Sequence, residues 1–141
     1  MKKIAFIISA LTLSACSGLD AEPAPKIANL KHICIRSDAS DLNGSSVIAD
    51  AFKNSLQKRG ITSEIYSDKE APAKCTYSLT YNFKTARKLI KRGSVILTNN
   101  DSKMRVGYVG YALRGDNQDV AKVSGLQGQA DFMISELLKN Q

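Results

Sequence analysis

The feature that most constrains the fold is a strict alternation of apolar and polar residues across positions 75–83. Cysteine, leucine and aromatic residues take the odd positions, whereas threonine, serine and asparagine take the even ones: Cys75, Tyr77, Leu79, Tyr81 and Phe83 against Thr76, Ser78, Thr80 and Asn82. A period of two is that of a β-strand, whose successive side chains point to opposite faces. The pattern therefore predicts a sheet with one face on a core and one face in water.

Further periodicity predicts helices and strands on both sides of this segment. In chain order they are a strand at 31–36, a helix from Ser45 or Ser46 to about Arg59, strands at 61–66, 94–98 and 104–113, a short strand at 119–123, and a last helix at 127–139. The strand-helix-strand order at the start predicts that the first two strands are parallel.

Together these segments predict an α+β fold. We expect a two-layer sandwich with a mixed, mostly antiparallel sheet, a βαβ-like start, and the C-terminal helix on the same face as the first helix. Gly107 and Gly110 lie inside a predicted strand, where glycine marks a bulge or a close approach of another backbone.

The first fifteen residues have the features of a bacterial export signal. Lys2 and Lys3 supply a positive start, and positions 4–13 are apolar apart from Ser9 and Thr12. An apolar run of about a dozen residues is too short to span a bilayer, which takes roughly 20 residues. The pattern therefore favours a cleaved signal over a membrane helix.

The four residues Leu13-Ser14-Ala15-Cys16 resemble the lipobox of bacterial lipoproteins. The resemblance implies cleavage before Cys16, a diacylglycerol thioether on its sulfur, and an amide-linked third acyl chain, which together would hold the chain firmly on a membrane. Ser17, in the place where an aspartate would retain the chain at the inner membrane, implies the periplasmic face of the outer membrane.

These features predict three regions: a signal peptide at 1–15, a lipidated cysteine and flexible linker at 16–29, and a single periplasmic domain at 30–141. Loss of Lys2 and Lys3 with the signal lowers the formal net charge from +7 to +5. A positive surplus favours anionic neighbours, here an envelope protein, glycan or lipid, while the compartment excludes nucleic acid.

Cys34 and Cys75 remain once Cys16 carries lipid, and in an oxidising compartment such a pair predicts a disulfide. The alternative is a metal site built on His32 and Cys34, which share a strand face. No recurring ligand spacing supports this site, and we predict no metal or cofactor.

The strand faces of the two cysteines conflict. Cys75 lies on the apolar face of its strand, whereas Cys34 is on the face opposite to that of Ile33 and Ile35. Either one cysteine lies just outside its strand, or the first strand is buried on both sides.

A basic segment follows the alternating strand and is a candidate contact for an anionic ligand. Its cations are Lys84, Arg87, Lys88, Lys91 and Arg92. In a helix this spacing places all five on one face, suited to phosphates or carboxylates. If the segment is instead extended, it is a solvated connection between two strands whose charges protect a sheet edge, and a strand running straight through it would spread the charges over both faces. The sequence leaves both conformations open.

The sequence contains no arrangement typical of an active site. His32 is the only histidine, no Gly-x-Ser-x-Gly motif provides a nucleophile, and no glycine-rich phosphate loop is present. We therefore predict that the protein is not an enzyme. Tyr108 and Tyr111, with Arg105 and Arg114, have the composition of a sugar-stacking surface, although ordinary strand composition explains them equally well.

Three segments resemble a group of proteobacterial lipoproteins of unknown function, the Sbal-type lipoproteins: residues 31–35 (Lys-His-Ile-Cys-Ile), 60–61 (Gly-Ile) and 75–81 (Cys-Thr-Tyr-Ser-Leu-Thr-Tyr). The likeness covers most of the domain. That group tends to carry a Trp-Asp pair after the alternating strand, where this chain has basic residues and no tryptophan. The resemblance implies an envelope lipoprotein and no particular activity.

Two functions follow from these observations. The first is a non-enzymatic outer-membrane lipoprotein that serves as an accessory or binding module for a cell-envelope component, through a sheet edge or the basic segment. The alternative is a stand-alone domain that binds an anionic envelope ligand, either lipopolysaccharide or peptidoglycan.

Overall fold

The computed structural model describes residues 19–37 and 47–141, apart from the side chains at positions 116 and 117. The export signal and Cys16 lie outside the described residues, so cleavage and lipidation stay predictions. The described elements are β1 (Leu19–Glu22), β2 (His32–Arg36), α1 (Val47–Lys58), β3 (Thr62–Tyr66), β4 (Tyr77–Ala86), β5 (Leu89–Asn99), β6 (Met104–Ala112) and α2 (Asp116–Leu137).

The described strands form one mixed sheet in the order β1-β6-β5-β4-β2-β3. β2 and β3, which precede and follow α1 in the chain, pair in parallel with each other, and β2 also pairs in parallel with β4. β4, β5 and β6 form an antiparallel meander, to which β1 adds antiparallel. The predicted α+β class, the mixed sheet and the βαβ-like start are confirmed.

Both helices pack on the same face of the sheet, which is the apolar face of the alternating strand. Leu79 and Tyr81 of β4 are buried there, and the ring of Tyr81 lies 5.5 Å from that of Phe52 on α1. Ile134 of α2 is buried in the same core cluster. Neither helix covers the opposite face, which we call the open face and which carries the even-numbered side chains of β4.

Gly107 occupies the close approach that the sequence predicted inside β6. A Cβ at this position would lie 2.8 Å from Cδ1 of Leu137 and 3.2 Å from the Cβ of Ala24. The register between β5 and β6 also shifts between Leu97 and Thr98, beside the glycine. Any side chain here would push α2 and the residues after β1 away from the sheet.

The structure contradicts the short strand predicted at 119–123. These residues belong to the first part of α2, which has non-helical backbone angles at Gly125 (φ 62°, ψ −152°) and continues through the predicted last helix. β1 pairs with the edge of β6 beside which the next strand of the meander would otherwise have paired. Val120 and Val123 are instead exposed on the helix, by 37% and 87%.

The predicted flexible linker at 16–29 also differs from the structure over its described part. Leu19–Glu22 is a strand of the sheet, and Ala24 is fully buried, with its N–H donating to the carbonyl of Leu137 at 2.9 Å. Gln141 fixes the following residues, because its Nε2 donates to the carbonyl of Pro25 at 2.7 Å. An exposed edge of β6 would leave backbone groups unpaired, and β1 satisfies them.

A buried amide joins α2 to the start of β5. The side chain of Gln129 is fully buried; its Oε1 accepts from the N–H of Ile90 at 2.9 Å and its Nε2 donates to the carbonyl of Ile90 at 2.8 Å. The same Nε2 lies 3.0 Å from the hydroxyl of Tyr111. Burial raises the pKa of Tyr111, and the hydrogen bond to Gln129 partly offsets this rise. The register of β4 and β5 shifts beside Ile90, and Gln129 gives the backbone of Ile90 a side-chain partner there.

A polar network joins the two helices around Asp131. Its Oδ1 accepts from Oγ of Ser55 at 2.7 Å and from Nε2 of Gln127 at 3.0 Å, and its Oδ2 accepts from Nζ of Lys58 at 2.7 Å. Partial burial raises the pKa of Asp131, but the hydrogen bonds from Lys58, Ser55 and Gln127 together outweigh burial. The pKa of Asp131 therefore lies below its ordinary value of 3.8.

We expect this network to make the folding stability fall in acid. In the unfolded chain the carboxyl group of Asp131 takes up a proton at its ordinary pKa, so the unfolded state binds more protons as the pH falls. The ionised carboxylate of Asp131 thus stabilises the folded state above about pH 4. This stabilisation is lost as the pH falls through the lowered pKa of Asp131 in the folded state. D131N should be less stable than the natural chain in urea at neutral pH, and the difference should narrow near about pH 3. D68N, at an exposed position, is the matched control; a difference between D131N and the natural chain that does not change with pH would contradict the expectation.

Candidate functional site

The basic segment forms the closed end of the β4–β5 hairpin. Arg87 and Lys88 make the two-residue turn with positive φ at both positions, 53° and 64°, the geometry of a type I′ turn. The helical alternative left open by the sequence is therefore wrong, because the chain reverses direction in the middle of the segment. We call the five residues Lys84, Arg87, Lys88, Lys91 and Arg92 the basic hairpin tip.

The hairpin distributes these charges around one corner of the sheet. Lys84 and Arg92 are directly opposite each other across β4 and β5, which brings two like charges side by side on the open face. Lys91 lies at the irregularity of the hairpin and lines a cleft toward α2 together with Arg87. All five are exposed. Within residues 19–37 and 47–141, none of them forms an ion pair with a carboxylate.

The cleft beside the tip combines cations with an apolar lining. It has a volume of about 260 Å³ and lies between the hairpin and the first part of α2. Lys122 of α2 is the third cation beside Arg87 and Lys91, and the lining includes Leu89, Leu113 and Ala121. Its chemistry therefore suits a ligand with an anionic group attached to an apolar part.

The start of β1 lies at the same end of the sheet as the basic hairpin tip. Leu19 pairs with Tyr111, which also pairs with Gly93 of β5, and Arg92 pairs with the next residue of β6, Ala112. Two residues lie between Cys16 and Leu19, so the distance from Cys16 to Leu19 is at most about 11 Å in an extended chain. The chain that follows the predicted anchor thus enters the sheet at the end that carries the cations.

Cys34 and Cys75 form a disulfide, as the sequence predicted, with their Cα atoms 5.9 Å apart. Both explanations for their conflicting strand faces hold. Cys75 lies two residues before the start of β4, and β2 is buried on both sides at positions 33–35. The disulfide thus lies on the open face, where Cys75 covers Cys34 of β2.

His32 and Glu64 complete a cluster around the two sulfur atoms. One ligand atom from each of His32, Cys34, Glu64 and Cys75 lies within 4.8 Å of all the others. Glu64 is opposite Cys34 on the neighbouring parallel strand, and its Oε2 accepts from Nζ of Lys74 at 2.9 Å. The sequence analysis missed Glu64, because only the register of β2 and β3 brings it to the cysteines.

The structure separates the tyrosines that the sequence grouped as a sugar-stacking surface. Tyr111 is buried on the helix side of the sheet, whereas Tyr108 lies on the open face. The guanidinium of Arg105 lies 5.1 Å from the centre of the Tyr108 ring and also pairs with Glu22 at 2.9 Å. The guanidinium of Arg105 therefore lies over the ring on which a sugar would stack.

These features define a two-layer α+β domain with a basic hairpin tip and a buried cysteine cluster, and comparisons with known proteins bear on its fold. No family model and no curated protein matches the chain. Among solved structures, it is similar to two dodecamer structures of PelC from Paraburkholderia phytofirmans. One, of a point variant, has 15% identity and a TM-score of 0.54 over 85% of this chain and 98% of that chain. The other has 16% identity and a TM-score of 0.55 over 86% and 95%. At these identities the likeness concerns the fold.

No helix in the described part of the chain is both long enough and apolar enough to cross a membrane.

Proposed function

We propose that this protein is a non-enzymatic, lipid-anchored module of the outer membrane whose basic hairpin tip binds the anionic phosphates of the surface that carries its anchor. The proposal is carried by one observation: five exposed cations without carboxylate partners in the described chain lie at the end of the sheet where β1 begins. Cys16, three residues before that strand, would hold this end near the lipid headgroups.

The backbone of the turn supports a role for its charges. Type I′ turns favour Asn-Gly, because these residues tolerate positive φ. Arg87 and Lys88 occupy the turn instead, and positive φ at a residue with a long side chain costs free energy. Two cations thus occupy turn positions at which asparagine and glycine would fold more easily.

The adjoining cleft supports the choice of a phospholipid or lipid A phosphate. Three cations around an apolar lining match a phosphate joined to hydrocarbon better than they match a polysaccharide carboxylate. Val123, exposed by 87% on the part of α2 next to the cleft, adds apolar surface at the same end. A basic, partly apolar surface is what an anionic membrane interface attracts.

Neutralising the tip is expected to abolish this binding. The protein used is the mature chain with C16S, so that attachment does not depend on acyl chains. It should sediment with vesicles containing phosphatidylglycerol and stay in solution with phosphatidylcholine vesicles. Each cation near an anionic surface contributes about 1 kcal/mol, so R87Q/K88Q/K91Q/R92Q should weaken partitioning by a factor of about 100 or more.

The control variant removes the same charge elsewhere. K26Q/K31Q/K53Q/K69Q changes four exposed lysines away from the tip and is expected to retain most of the binding. Equal losses in both variants would show that net charge decides binding, and unchanged partitioning of the tip variant would refute the proposal. Retention on purified lipopolysaccharide or peptidoglycan, measured in parallel, distinguishes lipid phosphate from the other anionic components of the envelope.

A second candidate is the accessory module for another envelope protein. The PelC structures, which share this fold, are dodecamers, so a domain of this kind can assemble through its surfaces. Light scattering of the mature C16S chain and crosslinking in native envelopes test this candidate. A defined oligomer, or a stable protein partner whose binding survives R87Q/K88Q/K91Q/R92Q, would favour it over lipid binding.

A further inference from the structure

We propose that the reduced form of the cysteine pair, together with His32 and Glu64, is a binding site for one thiophilic divalent cation such as Zn²⁺. The four donors come from three parts of the fold: β2 contributes His32 and Cys34, β3 contributes Glu64, and the residues before β4 contribute Cys75. Two sulfurs, an imidazole nitrogen and a carboxylate oxygen form a donor set that suits tetrahedral zinc.

The distances between donors already match most edges of a zinc coordination tetrahedron. Glu64 Oε1 lies 3.5 Å from both sulfur atoms, and His32 Nε2 lies 3.5 Å from the sulfur of Cys34 and 3.9 Å from Glu64 Oε1. Zinc bonds of about 2.3 Å to sulfur and 2.0 to 2.2 Å to nitrogen or oxygen give edges of roughly 3.3 to 3.8 Å. The two sulfurs must also move apart. Cys75 lies outside β4, where its N–H donates to the carbonyl of Pro72 at 2.9 Å and its carbonyl accepts from Nδ2 of Asn100 at 2.8 Å.

A neighbouring hydroxyl orients the imidazole for this role. Oγ1 of Thr62 lies 3.0 Å from the carbonyl of Lys31, to which it donates, and 2.8 Å from His32 Nδ1. In the arrangement where the hydroxyl accepts from Nδ1–H of the neutral ring, the lone pair of Nε2 is on the side of the Cys34 sulfur and the Glu64 carboxylate. Metal-bound histidines are typically oriented by such an outer hydrogen bond.

The surroundings also suit a charged metal complex. Cys34 and Cys75 are 0% and 2% exposed, so thiolates there are shielded from water, while the side chains of His32 and Glu64 are 39% and 33% exposed and leave a path for the ion. Two thiolates, a carboxylate and a divalent cation have a net charge of −1, and Lys74, 2.9 Å from Glu64, offsets it.

Metal binding and the disulfide exclude each other. When Zn²⁺ binds, the two thiols release two protons and form two zinc–sulfur bonds, with no change in oxidation state. When the disulfide forms, the same thiols lose two protons and two electrons to a disulfide-bonded oxidoreductase by thiol–disulfide exchange. The domain would thus have an oxidised, metal-free form and a reduced, metal-bound form with the same strand order.

The test uses the mature chain with C16S, so that Cys34 and Cys75 are its only thiols. After reduction with a phosphine and removal of oxygen, titration with Co²⁺ should give a sulfur-to-cobalt charge-transfer band that saturates at one equivalent. One equivalent of Zn²⁺ should displace this band. The oxidised chain and the C34S/C75S variant should give no band. A reduced chain that gives no band would overturn the proposal.

Variants that keep both cysteines distinguish this site from two cysteines acting by themselves. H32Q and E64Q should each weaken Zn²⁺ binding at least tenfold in competition with a chromogenic chelator, and T62V should weaken it about tenfold through the orientation of His32. E70Q, at an exposed glutamate, should bind like the natural chain. Natural affinity in both H32Q and E64Q would contradict the four-donor site. Circular dichroism of each oxidised variant confirms that its fold is retained.

Discussion

Replacing Cys34 and Cys75 together by alanine is expected to lower the free energy of unfolding by about 4 kcal/mol. The disulfide joins residues 41 positions apart, and the loop it closes has fewer conformations in the unfolded chain. It ties the middle of β2 to the residues that precede β4, and both sulfurs are buried on a face that no described helix covers. Because small domains are stable by only 5 to 15 kcal/mol, this loss is a large part of the total.

Urea unfolding of the oxidised natural chain and of C34A/C75A, both with C16S and a chelator, measures the effect. The lipid-free natural chain without C16S is the matched control, and its unfolding midpoint should equal that of the C16S reference. A loss below about 1 kcal/mol would contradict the expectation. If the metal site exists, the reduced natural chain should regain stability on addition of Zn²⁺, whereas C34A/C75A should not.

Replacing Gln129 by leucine is expected to cost about 3 kcal/mol of folding stability. The leucine fits the apolar surroundings but leaves the N–H and the carbonyl of Ile90 without their partner, at 2.9 and 2.8 Å in the natural chain. Each buried backbone group that loses its hydrogen bond costs about 1 to 3 kcal/mol. The hydroxyl of Tyr111 loses a partner as well.

Urea unfolding of Q129L measures this loss, and Q57L, on the exposed side of α1, controls for the change of amide to hydrocarbon. Hydrogen exchange of the Ile90 amide provides a local readout. In Q129L this N–H should exchange faster through local opening, whereas the amides of β2 should exchange only as fast as the global stability of Q129L allows. Stability within about 0.5 kcal/mol of the natural chain would show that water or a rearranged strand replaces the glutamine.

Two of these results bear on function in different ways. The hairpin-tip variant tests binding at the end of the molecule near the predicted anchor, whereas the cobalt titration tests chemistry at β2 and β3. Failure of one leaves the other intact, since no residue of the basic hairpin tip belongs to the cysteine cluster.

Local patterns in the sequence determined most of the strands, the first helix and the pairing of the cysteines. The alternation at 75–83 needs only the two-residue period of a strand and a core on one side, and the structure has β4 there at Tyr77–Ala86. The first helix was predicted from its apolar spacing, and it lies at Val47–Lys58. The disulfide followed from the number of cysteines and the expected compartment.

Tertiary structure decided where distant segments meet. β1 covers an edge of β6 almost ninety positions away, and this pairing occupies the place beside β6 where the strand predicted at 119–123 could have continued the meander. The basic segment had helical spacing, but strand pairing with β5 turned it into a hairpin.

The cysteine cluster shows the same limit at the level of one residue. Glu64 carries no local signal that relates it to Cys34, and it reaches the sulfurs because β2 and β3 pair in a particular parallel register. Periodicity is a property of neighbouring residues, so it determines secondary structure, whereas register and edge pairing depend on contacts between residues far apart in the chain. The side chains that could act together in this protein are brought together by those contacts.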